Sequence, residues 1–105
     1  MPVAYELTPE AKQDIRGIWL YTAEQWSERQ ADRYTGRLEA CFRRIARRRA
    51  QAKSFSERYP QVQVTRCEHH YVFFLHPEGQ KPLIIAVLHE RMDMLTRLGE
   101  RLLSF

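Results

Sequence analysis

Apolar and polar residues alternate at two different periods along this chain, and the changes of period mark its elements. Val3, Tyr5 and Leu7 alternate with Ala4 and Glu6, the period of a half-buried strand. Thr8 then offers an N-cap hydroxyl, Pro9 stands at a first helical position where its missing N–H costs nothing, and Glu10 faces the positive helix end. From there Ala11, Ile15, Ile18 or Trp19, Thr22 and Trp26 recur at steps of three and four, which predicts a helix burying that stripe. Ser27 and Gln30 form a capping box, so a second helix follows almost without a loop and must fold back as an αα-hairpin. Its inward residues are expected to be Ala31, Tyr34, Leu38, Cys41 or Phe42, and Ile45.

The helical period then dissolves into a basic run and a stretch, Gln51 to Pro60, that reads as a loop pinned to the body by Phe55 and Tyr59. Val62 and Val64 restart the two-residue period, which continues to about Glu68, and Tyr71, Phe73 and Leu75 alternate with Val72 and Phe74 in the next strand. His76-Pro77-Glu78-Gly79 is turn chemistry. Leu83 to Leu88 holds no polar residue, which marks a central strand buried on both faces. A closing helix is entered near Asp93 with Leu95, Leu98 and Leu102 on one side. The fold class is α+β: an N-terminal strand, an αα-hairpin packed across one face of a small, mainly antiparallel curved sheet, and a short C-terminal helix.

Composition narrows the picture. A chain of 105 residues, 44% hydrophobic, with no repeat or linker, reads as one domain spanning 1–105 that needs neither metal nor disulfide to fold. No apolar run approaches the roughly 18 residues of a membrane span. The first residues carry no basic region and no apolar core of a signal peptide, so a cytoplasmic location is expected. Cys41 and Cys67 are expected to be reduced, partly buried thiols.

Charge is unevenly spread. The net charge is +4, yet no acidic residue stands between Glu39 and Glu57, where Arg43, Arg44, Arg47, Arg48, Arg49 and Lys53 crowd together. That patch would attract an acidic partner or a nucleic-acid backbone; the plainer reading is a solvated helix end complementing the macrodipole.

Candidate chemistry gathers after Arg66. Cys67, His69, His70 and His76 invite a metal reading, but adjacent histidines on a strand point to opposite faces and the spacing is not that of a zinc site. His89-Glu90-Arg91-Met92-Asp93 lacks the second histidine, and the helix, of a metalloprotease motif. Asp93 is expected to cap the last helix, and His89 to be held by a neighbouring backbone group or carboxylate. Arg66, His69, His70, Tyr71, His89 and Arg91 contain the acid, base and cation that RNA cleavage would require, and spacing does not fix them into one cleft. No Gly-rich phosphate loop or nucleophile signature is present, and no metal or cofactor is expected.

Three segments carry a resemblance: LTPEAKQDIRGIWLYTAEQWSERQADRY, RCEHHYVFFL and LIIAVLHERMDMLTRL. In this order they resemble the ParE toxins of the RelE/ParE superfamily, plasmid-stabilisation type, across nearly the whole chain. The resemblance implies the fold already derived and the toxic half of a type II toxin–antitoxin system. Such a toxin poisons DNA gyrase, blocks replication and catalyses nothing itself. Its partner would be a ParD-type antitoxin, a ribbon–helix–helix DNA-binding dimer whose acidic, disordered tail folds around the toxin. RelE relatives on the same scaffold are ribosome-dependent mRNA endonucleases, usually with a functional residue, often tyrosine, near the C-terminus; here the tail is LLSF and no tyrosine follows Tyr71. The matching motifs single out Arg66, His69, His70, Tyr71, His89, Arg91, Met92 and Asp93 as candidates for contact with gyrase or antitoxin.

Overall fold

The computed structural model describes residues 4–103. In chain order the elements are β1 (Glu6–Leu7), α1 (Pro9–Gln25), α2 (Glu28–Ala46), β2 (Lys53–Ser56), β3 (Tyr59–Cys67), β4 (His70–Leu75), β5 (Leu83–His89) and α3 (Met94–Leu103). The expected helix starts are the observed ones. Thr8 Oγ1 accepts from the Ala11 N–H at 3.1 Å, and Ser27 Oγ accepts from the Gln30 N–H at 3.0 Å, each satisfying a donor that a helix leaves unpaired. Val3, the start of the expected first strand, lies outside the described residues.

The sheet runs β1-β5-β4-β3-β2, with β1 parallel to β5 and the other neighbours antiparallel. Its two faces carry separate cores. Val72, Phe74, Ile84 and Val87 meet Ala11, Leu38, Phe42 and Ile45 of the helical hairpin. Val62, Val64, Phe73, Ile85 and Leu88 face the other way, where Leu98 and Leu102 of α3 cover them. Alternation along the strands thus feeds both layers, and α3 lies on the face opposite the hairpin. The unbroken apolar run of β5 is buried from Ile84 to Leu88, as its composition predicts.

The stretch Gln51 to Pro60 departs from expectation, since it holds β2 and the start of β3 rather than a loop. Lys53-Ser54-Phe55-Ser56 has little apolar alternation because this edge strand is largely exposed on one side, so its pairing with β3 leaves a weak signature. Trp26 also differs: it closes α1 as its C-cap, where its backbone leaves the helical conformation at φ −130°, and is 75% exposed. The cysteines differ as well. Cys41 on α2 and Cys67 on β3 are joined in a disulfide, with Cα atoms 6.2 Å apart, well within the range such a bond spans. Buried Cys41 lies on the α2 stripe and Cys67 on the strand face opposite it, a juxtaposition that sequence separation hides.

Two residues of β1 cannot pair the whole outer edge of β5, and side chains complete the task. Asp14 Oδ2 accepts the Val87 N–H at 2.9 Å, and Arg101 Nη1 donates to the Ile85 carbonyl at 2.8 Å. Arg101 and Asp14 also pair with each other through both guanidinium nitrogens, at 3.0 and 3.1 Å. The bond from α3 to α1 therefore crosses the β5 edge and closes a strand that would otherwise offer free backbone groups. Among the described residues no helix is long and apolar enough to cross a membrane.

Candidate functional site

Most of the polar residues singled out in the sequence meet at one end of the sheet. Cys67 pairs with His70, so Glu68 and His69 form a two-residue turn, and His70 in turn pairs with His89. Glu68 has φ 56°, the left-handed region that favours glycine in such turns. The Glu90 N–H donates to the His69 carbonyl at 3.0 Å, which carries the β4–β5 ladder one step further and delivers the Glu90 side chain to the turn. There its two carboxylate oxygens separate: Oε2 takes Arg66 and Oε1 lies 3.3 Å from His69 Nδ1. Desolvation is the largest single influence and pushes the Glu90 carboxyl up, but the Arg66 charge, the hydrogen bond and charge of His69 and the charge of His89 together outweigh it and hold the group below its ordinary value.

His70 is the buried member, only 8% exposed. Tyr34, reaching up from α2, places its hydroxyl 2.7 Å from His70 Nδ1 and accepts the His69 N–H at 3.1 Å. The phenol, which can donate one hydrogen bond and accept two, thus bridges the His70 ring and the backbone of the turn. Burial, followed by the neighbouring His89 and His69, pushes the imidazole down to about 4. Burial likewise pushes the Tyr34 phenol up, against the lowering effect of the His69 N–H. His89 stacks edge-on to His70 with ring centres 5.2 Å apart, and its Nδ1 accepts the Arg91 N–H at 3.2 Å.

Not every candidate joins this group. Tyr71 points to the opposite face, where the Arg66 guanidinium carbon lies 5.9 Å from its ring centre. Asp93 caps α3, accepting from the Thr96 N–H at 3.3 Å and the Thr96 hydroxyl at 2.9 Å, and these two bonds hold its carboxyl below its ordinary value. Arg91 and Met92 are exposed in the link between β5 and α3. His76 sits apart, near Arg48, pushed down by burial and then by that arginine's charge. Tyr34 gives no polar signal in the sequence, because its place on the apolar stripe of α2 disguises a hydroxyl that organises the turn.

The basic run occupies the exit from α2. Arg43 and Arg44 belong to the last helical turn, and Arg47 is the C-cap. The Arg48 N–H then bonds the Ile45 carbonyl at 3.0 Å and the Arg49 N–H the Arg44 carbonyl at 2.9 Å, a Schellman closure with Arg48 at φ 55° where glycine is usual. Two hollows flank the segment that follows, and both use Ala50 and Ala52 as walls. The larger, about 560 Å³, presents Lys53, Arg66 and Tyr71; the smaller, about 200 Å³, presents Arg48, Gln63 and His76.

Residues 5–94 match the family model described as the ParE toxin of the type II toxin–antitoxin system parDE. The chain belongs to the ParE toxin family. It is 48% identical over 99 residues to Toxin ParE of Escherichia coli, covering 94% of this chain and 96% of that protein. Toxin ParE1 of Caulobacter vibrioides is 30% identical over 95 residues, covering 90% and 97%. Among solved structures, a chain of the chromosomal ParDE system from P. aeruginosa superposes with a TM-score of 0.66 at 16% identity, over 82% of this chain and 96% of that one. The α+β fold with a strand, a helical hairpin and a sheet is therefore that of a ParE toxin of a type II toxin–antitoxin system. The matched span ends at Met94, so it takes in the whole polar edge and stops where α3 begins.

Proposed function

We propose that this ParE-family toxin acts by binding and poisoning DNA gyrase, and that it is not itself an enzyme. One observation supports the reading beyond family membership: of the six groups that could serve as acid, base and cation, Arg66, His69, His70 and His89 are held in bonds within the protein. His70 is bonded to the Tyr34 hydroxyl, His89 accepts a backbone N–H, and Arg66 and His69 share Glu90. Such an edge is a fixed recognition surface, with exposed Arg91 and Met92 beside it. The test is purified toxin added to gyrase and relaxed plasmid. Loss of supercoiling, or linear DNA after protein digestion, is expected; unaffected gyrase over a wide toxin range would refute the reading.

The counterpart is a ParD-type antitoxin with an acidic, flexible tail. Its support is the pairing in the ParDE system of the structural neighbour and the apolar surface left open here, with Leu95 71% and Leu103 86% exposed on α3. A partner folding over these side chains would remove that surface from water. Co-purification of a neighbouring acidic gene product, and rescue of growth by it, is the expected outcome.

The second reading, a ribosome-dependent ribonuclease, draws on the hollow that brings Lys53, Arg66 and Tyr71 together. Primer extension on translated messages decides it: codon-phased cuts would favour cleavage, and intact transcripts in arrested cells would dismiss it.

A further inference from the structure

We infer that the hollow where α2 ends over the sheet binds one small oxyanion, a phosphate or carboxylate carried on a compact organic body, between Arg48, Gln63 and His76. It shares no cation with the hollow of Lys53, Arg66 and Tyr71, and it rests on neither the gyrase nor the ribonuclease reading.

Placement is the first observation. Along β3, Val62 and Val64 turn to the α3 side of the sheet, so Gln63 between them turns to the hairpin side, in register with Phe74 of that core. Helix α2 stops over this part of the sheet. Its Schellman closure turns the chain so that Arg48 joins Gln63 and His76 around a space of about 200 Å³. Ile45, Phe74 and Ala50 supply the apolar part of the wall. The volume lies below the roughly 300–1,000 Å³ of ordinary ligand pockets, which suits an anionic head with at most one small ring.

Charge is the second. No Asp or Glu lines the hollow. Among the described residues the Arg48 guanidinium and the Gln63 carboxamide make no hydrogen bond or ion pair, so both keep their donors for a ligand. Burial and then the Arg48 charge push the His76 imidazole down, against the opposing bond to the Gln80 backbone. A guanidinium and an imidazole therefore share one small space with no carboxylate of the protein to offset them, and an oxyanion bound there favours the protonated ring.

Backbone geometry is the third. Arg48 stands at φ 55°, a position that costs a non-glycine residue stability. Glycine would close the helix at lower cost, so the arginine serves the hollow rather than the helix end.

The experiment follows the histidine ring resonances of the full chain by NMR while sodium phosphate, phenyl phosphate or sodium benzoate is added at constant ionic strength. Inorganic phosphate should bind with a dissociation constant on the order of 1 mM, within reach of a ligand of five non-hydrogen atoms. It should raise the His76 pKa toward its ordinary value and leave that of His69 unchanged. Phenyl phosphate should bind about tenfold tighter, the effect of covering about 60 Å² of apolar surface. Benzoate against phenyl phosphate tells which oxyanion the site prefers. Arg48→Gly should weaken phosphate binding about tenfold or more, and its unfolding midpoint should equal or exceed that of the parent, which keeps the test clear of folding defects. Gln63→Ala should weaken binding about threefold. Arg47→Ala, which removes the neighbouring exposed cation outside the hollow, should change it by less than about twofold. No response of His76 to any of the three anions, affinity indifferent to Arg48→Gly, or an equal loss in Arg47→Ala would each overturn the assignment.

Discussion

The neutral, buried imidazole of His70 gives the fold a pH dependence that can be read separately from its carboxylates. Burial and the neighbouring histidines hold His70 at about 4, whereas in the unfolded chain it takes up a proton near 6.5. Below about 6.5 the unfolded state therefore binds more protons than the native state. The contribution is complete above that value, falls as pH drops toward 4, and is level below it. At about 1.4 kcal/mol per pH unit the full interval corresponds to roughly 3 kcal/mol. Water reaching the end of the sheet reduces this, and about 2 kcal/mol is expected between pH 7.5 and 4.5. Urea unfolding followed by tryptophan fluorescence measures it. His70→Asn should be less stable at pH 7.5 but should lose about 2 kcal/mol less than the parent on acidification. Glu90 and Asp93, both held below their ordinary values, lose their contributions at lower pH in parent and variant alike. Stability curves for parent and variant that run parallel from pH 7.5 to 4.5 would refute the buried, neutral state of His70.

Other perturbations test the remaining joints. Asp14→Ala removes one partner of Arg101 and orphans the Val87 N–H, so a loss of about 2–4 kcal/mol is expected in urea unfolding; Asp14→Asn, which keeps an acceptor, should lose about half as much. The Cys41–Cys67 bond closes a sequence separation of 26 residues, for which chain entropy gives up to about 3.5 kcal/mol. Reduction with dithiothreitol should lower the unfolding midpoint accordingly, and two free thiols titrated in the unreduced, denatured chain would contradict the bond. Trp26→Ala should change stability by less than about 0.5 kcal/mol, since a side chain that is 75% exposed contributes little to the core.

Legibility followed the range of the interactions. The caps at Thr8 and Ser27, the αα-hairpin and the two-faced burial of β5 are written in neighbouring residues, and each was predicted correctly. Asp93 as a cap and His89 held by a backbone group belong to the same short range. What escaped depends on partners distant in sequence. Strand β2 exists because β3 pairs with it, not because its own residues alternate. The Asp14–Arg101 clasp spans 87 positions, and both residues read locally as ordinary solvated charges. The Tyr34–His70 bond spans 36 positions and links a helix to a strand, so no spacing rule announces it. Trp26 fell on the predicted stripe because periodicity reports which side of a helix is apolar and not where the backbone leaves the helix.

These long-range bonds also decide which charges remain for a partner. Arg101 is committed to the β5 edge, where it joins α3 to α1 and satisfies a strand carbonyl. Arg66 and His69 are drawn to Glu90, which stiffens the turn at the end of the sheet while its carboxylate offsets the Arg66 charge. The cations after Glu39 have no such commitment in the described ion pairs, and one of them, Arg48, is kept in a backbone position that glycine would occupy at lower cost. Internal pairing at the histidine edge and charge outside the described ion pairs at the α2 exit therefore make the two surfaces physically different. Variants confined to one surface, His69→Ala with Arg91→Ala against Arg48→Gly with Lys53→Ala, should show by their loss of toxicity which of the two the proposed gyrase contact uses.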